Sequence, residues 1–354
     1  MSRAKAAPNR TPGRRSLLGS RSPGPTTHGP PSGSRTFAPS NEPPRSLDFA
    51  ILCERYRDAP GGVGFDPRKS PELIARRLSV SPATVRRRLT EWRGSGFFRG
   101  YDVLPHPELL GGRWVARLLE FHDPIDQETA LGSLELIDGV IQIVPSRNLL
   151  MVVYFVDSAA LADRRLRQLR KIVGAREIGP EMPFLLPACP RRMTRPDWRL
   201  LRTLRRTPEA KLSVLAAEVG QSPRTTSRRL DALLDAGAIM FDPILDFSRF
   251  SQTIAVLVAY LSSPESSGEV ERQIRGLFPQ SEQSGGPVPV GPDGRAGAIM
   301  FRVCVRTAAE LDSLVAPVAR IPGVDHVLLW SERSSLPVRE WLDERIETEL
   351  RTPD

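Results

Sequence analysis

Two short stretches hold the residues best suited to chemistry. Ser81-Pro82-Ala83-Thr84-Val85-Arg86-Arg87-Arg88-Leu89 and Ser222-Pro223-Arg224-Thr225-Thr226-Ser227-Arg228-Arg229-Leu230 align without a gap, 141 residues apart. In each, the serine can accept from the free N–H groups of a helix start, and proline suits the first helical position. Val85, Leu89 and Trp92 recur at i, i+4 and i+7, which makes one buried stripe. Ala83, Thr84, Arg86 and Arg87 fall off that stripe, as do Arg224, Thr225, Ser227 and Arg228 in the second stretch. A short helix with a small N-terminus and outward arginines is shaped to enter the major groove of double-stranded DNA, where guanine offers a guanidinium two acceptors. The candidate DNA-binding residues are therefore these eight together with Ser81 and Ser222.

Other chemistry finds little material. His28, His106, His122 and His326 lie far apart, without the spacing of metal ligands. Cys53, Cys189 and Cys304 are odd in number and form no Cys-x-x-Cys pair, which fits a reducing cytoplasm. Gly61-Gly62 and Gly285-Gly286 lack the lysine and following helix of a phosphate loop. We expect no catalytic residue, no cofactor and no metal. The longest apolar run, Leu149 to Val156, is far shorter than a membrane span. Arg14-Arg15-Ser16-Leu17-Leu18 hints at twin-arginine export, but Gly-Ser-Arg-Ser-Pro-Gly follows where an apolar region should stand. A cytoplasmic protein without a membrane partner is the expectation.

The 354 residues suffice for two or three domains. The net charge of +9 is unevenly placed: residues 1–46 hold eight Lys or Arg against Glu42 alone, leaving 42 basic and 40 acidic residues in the body. Only four of the fifty basic residues are lysine, as a GC-rich coding bias alone would produce, so position rather than number must carry a nucleic-acid argument. Residues 1–46 are rich in Pro, Gly and Ser with few large apolar groups, and are expected to be a disordered basic tail.

Each arginine-bearing helix sits in a similar frame. A helix opens at Leu47-Asp48-Phe49 and again at Pro196-Asp197-Trp198. Second helices follow at Pro71 to Leu78 and roughly Leu212 to Val219, with tight turns at Ser79-Val80 and Gly220-Gln221. The first copy carries eight extra residues, best placed at 61–68, which read as a surface elaboration. After Gly96 and Gly237 come Phe97 to Val103 and Ala238 to Leu245, which read as the wing of a winged helix-turn-helix. Each copy then runs strand, helix, hairpin, helix, strand. The fold class is α+β: two winged helix-turn-helix domains, each followed by a ferredoxin-like βαββαβ domain. One bare sheet face per copy needs a cover, and the other copy's sheet is the natural one. The domain boundaries are 1–46 (tail), 47–111, 112–190, 191–250 and 251–335. A closing amphipathic helix at 336–354, with Val338, Trp341, Leu342 and Ile346 in one stripe, should pack on its own chain.

The pattern Asp48, Ser81, Thr84, Val85, Arg88, Leu89, Gly96, Leu110, Gly111 resembles the DNA-binding half of the Lrp/AsnC (feast/famine) transcriptional regulators. Asp197, Ser222, Thr225, Arg229, Leu230 and Gly237 repeat it. The resemblance implies a tandem form: an internal pseudo-dimer, associating further with itself, that regulates transcription by sequence-specific binding to two non-identical half-sites. It also implies that Arg88 and Arg229 brace the domain, and that a small-molecule effector of unspecified identity binds. The sequence departs from the family pattern at Thr226, which stands where Val85 packs. The turn Pro145-Ser146-Arg147-Asn148 is also too short for the family's Gly-x-x-Asp effector loop, and Ser281 to Gly297 is a long Ser/Gly/Pro-rich loop instead. Siroheme decarboxylases are likewise similar to paired units of this kind. That alternative would recruit His122, Arg147 and Tyr154 around a carboxylate-rich tetrapyrrole. A non-DNA-binding protein scaffold is the other alternative.

Overall fold

The computed structural model describes residues 47–56, 64–184, 186–250, 252–278, 282–283, 288–290, 296–305, 309–331 and 333–352. The basic tail, residues 61–63 and most of the 281–297 loop, with its hairpin turn at Asp293-Gly294, lie outside the described residues.

The N-terminal half opens with α1 (Leu47–Tyr56), α2 (Pro71–Leu78) and α3 (Pro82–Ser95), then β1 (Phe98–Pro105). It continues with β2 (Arg113–Phe121), α4 (Pro124–Glu135), β3 (Val140–Pro145), β4 (Leu149–Val156), α5 (Ala159–Leu169) and β5 (Ala175–Pro183). The C-terminal half opens with α6 (Arg195–Arg206), α7 (Leu212–Val219), α8 (Pro223–Asp235) and β6 (Ile239–Leu245). Then come β7 (Thr253–Leu261), α9 (Ser267–Leu277), β8 (Glu282–Gln283), β9 (Val288–Val290), β10 (Ala296–Val305), α10 (Ala309–Ala319) and β11 (Val324–Ser331). β12 (Leu336–Pro337) and α11 (Glu340–Arg351) close the chain.

One sheet runs β12-β3-β4-β2-β5 and the other β11-β7-β10-β8, with antiparallel pairing throughout. Strand alternation sorts their side chains into two layers. Along β2, Trp114, Ala116 and Leu118 enter the central core, while Val115, Leu119 and Phe121 meet residues of α4 and α5. Along β7, Ile254, Val256, Val258 and Tyr260 join the same central core, while Ala255, Leu257 and Ala259 face α9 and α10. The uncovered faces therefore cover each other, as the bare-face argument requires.

Two expectations need correction. First, Phe97–Val103 and Ala238–Leu245 do not fold into separate wings. β1 and β6 pair with each other, from Phe98↔Leu245 to Pro105↔Ile239. Each half supplies one strand, so the backbone N–H and C=O groups of that strand find partners in the opposite half. Second, residues 64–68 are not a surface elaboration. Phe65 is buried, its N–H donates to the Phe241 carbonyl of β6 at 2.8 Å, and its ring packs among Tyr56, Phe98 and Tyr101. Gly64 passes so close to the Phe241 carbonyl that a Cβ there would lie 2.2 Å away, and its φ of +76° suits glycine alone.

The ribbon places Asp102 directly opposite Asp242, a costly arrangement unless each charge is met. Arg205 Nη1 reaches Asp102 at 3.3 Å and Arg339 Nε at 3.4 Å, while Gln142 Nε2 donates to Asp242 at 2.6 Å. Arg205 also pairs with Asp343 on α11, so one buried guanidinium joins α6, β1 and the closing helix. Leu342, Ile346 and Leu350 of α11 are buried, and Trp341 lies 5.1 Å from the Phe155 ring: this helix packs on its own chain.

Candidate nucleic-acid interface

Both arginine-bearing helices begin where the serines require. Ser81 Oγ accepts from Thr84 N at 3.0 Å and Ser222 Oγ from Thr225 N at 3.2 Å. The hydroxyls of each Ser–Thr pair are also bonded, at 2.8 and 2.9 Å. The preceding turns are left-handed at Ser79 (φ +56°) and Gly220 (φ +65°), which sets α2 against α3 and α7 against α8. Val85 and Trp92 are buried, as the stripe predicts. Thr226 takes the place of Val85 at 0 % exposure, and its hydroxyl has no hydrogen-bond partner.

Arg88 and Arg229 face inward. Arg229 Nη1 bonds Asp197 at 2.7 Å and Thr194 Oγ1 at 3.0 Å, and Asp197 is fully buried, completing the capping box of α6. In the first half, Asp48 accepts from Trp92 Nε1 at 3.1 Å and lies 3.6 Å from Arg88 Nη1, which donates to Glu91 at 3.3 Å. These two arginines brace the helix triplets.

The remaining candidates stay on the surface. Ala83, Arg86, Arg87, Arg224, Thr225 and Arg228 are exposed, as are the capping Ser81 and Ser222, while Thr84 and Ser227 are half-buried. Their electrostatics differ between the halves. Arg86 pairs with Glu72 of α2, and Arg87 Nη1 meets Glu91 at 2.6 Å. Arg224 and Arg228 have no carboxylate partner among the described residues. Exposed Arg195, the first residue of α6, and exposed Arg192 before it flank Thr194 in sequence, which the Arg229 side chain reaches. Sequence reading missed them because they precede the helix-turn-helix spacing, and the only signal was their place beside the Thr194–Asp197 cap.

The other ends of the two helices are tied across the halves. Arg93 of α3 pairs with Glu209, and Trp92 and Phe97 pack against Phe250. Arg68 bonds Asp235 at 2.9 Å and lies 3.8 Å from Asp231, both on α8. Each helix is thus anchored at its C-terminal end by the opposite half and presents its N-terminal half outward. A guanidinium held there can bridge guanine N7 and O6, or meet phosphate.

Residues 193–240 match the family described as winged helix-turn-helix DNA-binding. That span holds α6, α7, α8 and the start of β6. No curated protein matches the chain. Among solved structures, the siroheme decarboxylase NirDL with an iron-uroporphyrin III analogue is similar at 13% identity and a TM-score of 0.47, covering 86% of this chain and 100% of that one. AsnC of E. coli is similar at 19% identity and a TM-score of 0.25, over 42% of this chain and 95% of its own. The leucine response regulatory protein of Mycobacterium tuberculosis gives 21% and 0.25, over 39% and 90%.

The three residues named for a decarboxylase do not share a pocket. His122 and Arg147 are exposed beyond one end of the β2–β4 pair, where Phe121 N bonds the Asn148 carbonyl. Tyr154 lies opposite Val115, about 20 Å along the sheet by strand rise. Its buried hydroxyl bonds Arg117 and Glu181, and burial and the neighbouring Glu181 push it up to about 12. No group of three potential metal ligands converges among the described residues, and no helix there is long and apolar enough to cross a membrane.

Proposed function

We propose that this chain is a sequence-specific DNA-binding transcriptional regulator of the Lrp/AsnC type, with two fused helix-turn-helix and ferredoxin-like units acting as an internal pseudo-dimer. The observation that carries the reading is the outward placement of Arg86, Arg87, Arg224 and Arg228 on helices whose other ends are fixed across the β1–β6 ribbon. A rigid pair of readers on one polypeptide suits a duplex with two half-sites. Ser81, Ala83, Thr84, Arg86 and Arg87 face one half-site; Ser222, Arg224, Thr225, Ser227 and Arg228 face the other. The two sets differ at Ala83/Arg224 and Arg86/Ser227, so the operator is asymmetric. The proposed boundaries remain 47–111, 112–190, 191–250 and 251–335, and an effector, if one binds, is a small molecule of unspecified class.

Genomic footprinting, repeated across salt, tests this. Discrete protected sites with two unlike halves are expected, and binding should weaken as salt rises because phosphate contacts release counterions. Preference for a perfect palindrome would overturn the asymmetric reading. Absence of any protected site, together with tetrapyrrole absorbance in the purified protein, would favour the enzyme instead.

A further inference from the structure

The outer layer of the first sheet carries a charge pattern that DNA reading does not use. Residues 123–138, spanning α4, contain five carboxylates (Asp123, Asp126, Glu128, Glu135, Asp138) and no Lys or Arg. Residues 159–171, spanning α5 and the turn after it, contain five cations and one acid, Asp163. Four of them, Arg164, Arg167, Arg170 and Lys171, are exposed, as is Asp163. Arg164, Arg167 and Lys171 have no carboxylate partner among the described residues, nor have Glu128 and Glu135 a basic one. The corresponding helix of the second half, α10, carries no basic residue, so neither the fold nor coding bias demands the cations of α5.

The two helices run antiparallel, side by side, on one sheet face. Asp126 near the start of α4 lies against Gly174 just past α5, and Gly139 beyond α4 lies 3.2 Å, measured from an added Cβ, from Arg165 Nη2. The surface is therefore an acidic row beside a row that is basic except for Asp163. It also bears the three most exposed large apolar side chains among the described residues: Leu136 at 82%, Val173 at 76% and Ile125 at 72%. Ile125 and Val173 adjoin in sequence the two residues of the Asp126–Gly174 contact, which places both at the same end of the surface.

We propose that this face binds a second copy of the chain. A two-fold axis running between and parallel to the helices lays the basic row of one copy on the acidic row of the other, twice. The same rotation brings Ile125 of each copy onto Val173 of the other. A two-fold interface must be self-complementary, and a two-row surface of opposite charge with apolar ends satisfies that condition. An axis perpendicular to the helices would set acid on acid, so the charge pattern also selects the geometry. This pairing is independent of DNA binding and specifies a surface for the self-association expected of the chain.

Light scattering on the full chain tests it, with circular dichroism to verify folding. The wild type should show at least twice the chain mass at low salt and fall towards one chain mass at high salt. Arg167→Glu with Lys171→Glu should give the single-chain mass, as should Glu128→Lys with Glu135→Lys. The four changes together restore complementarity and should restore the wild-type mass. A wild type at one chain mass, pairwise variants that keep the larger mass, or a fourfold variant that stays single would each overturn the proposal. So would an α5 reversal that leaves the mass unchanged but weakens DNA binding, because the face would then serve nucleic acid. DNA affinity measured on the same variants separates this pairing from the regulator reading: assembly should be lost while each chain still binds DNA.

Discussion

Thr226 shows what a single atom does to an arginine-bearing helix. Its side chain fills the place of Val85, fully buried, with an unpartnered hydroxyl. Burying such a group costs about 1–3 kcal/mol. Thr226→Val keeps the shape and should stabilise the protein by about 1 kcal/mol, read as a higher denaturant midpoint with an unchanged slope. His106 couples stability to pH. It is buried, Nε2 lies 3.1 Å from the Pro187 carbonyl, and Nδ1 accepts from Glu108 N at 3.3 Å. Burial lowers its proton affinity, against the pull of Glu108 and the Pro187 carbonyl. The unfolded chain takes up a proton near pH 6.5 that the folded one refuses, so stability should fall as pH drops below about 6.5. Denaturation midpoints should converge between wild type and His106→Gln at acid pH if this histidine carries the effect.

At the scale of elements, the segment after α1 acts as a strap. Phe65 joins β6 by its backbone and fills an aromatic pocket between the halves, while Arg68 reaches the end of α8. Phe65→Ala should cost about 3–5 kcal/mol, because a buried ring is removed from a site that β1 and β6 prevent from collapsing. Arg68→Ala should change global stability by under about 1 kcal/mol, since its ion pairs are exposed. Its effect belongs instead to the seating of α8, and hydrogen exchange in the last turn of that helix should rise.

For the whole molecule, the proposed regulator reading implies a pair of unequal readers. On the proposed reading, Arg86 and Arg87 of α3 would meet DNA already paired to Glu72 and Glu91, whereas Arg224 and Arg228 of α8 have no carboxylate partner among the described residues. Removing Arg224 and Arg228 should therefore weaken binding more than removing Arg86 and Arg87. If the arginines meet bases, the loss is about 1–3 kcal/mol per bidentate contact and depends on sequence. If they meet phosphates, all sequences weaken alike and the salt slope drops by about one per residue. Titrations of both double variants against the footprinted site, at two salt concentrations, distinguish these outcomes.

Local signals were sufficient for the elements. Ser-Pro caps, the apolar stripe and the tight turns placed α2 and α7 at the residues where they stand, and set the arginines of α3 and α8 off the buried stripe. These features act over a few residues, so one chain segment contains their cause. The partners of β1 and β6, the burial of Phe65, the pairing of Arg86 with Glu72 and the unpaired state of Arg224 depend on segments brought together from far along the chain. Only folding assembles those contacts, because a free strand edge or an exposed guanidinium does not encode in its own neighbourhood which distant group will meet it.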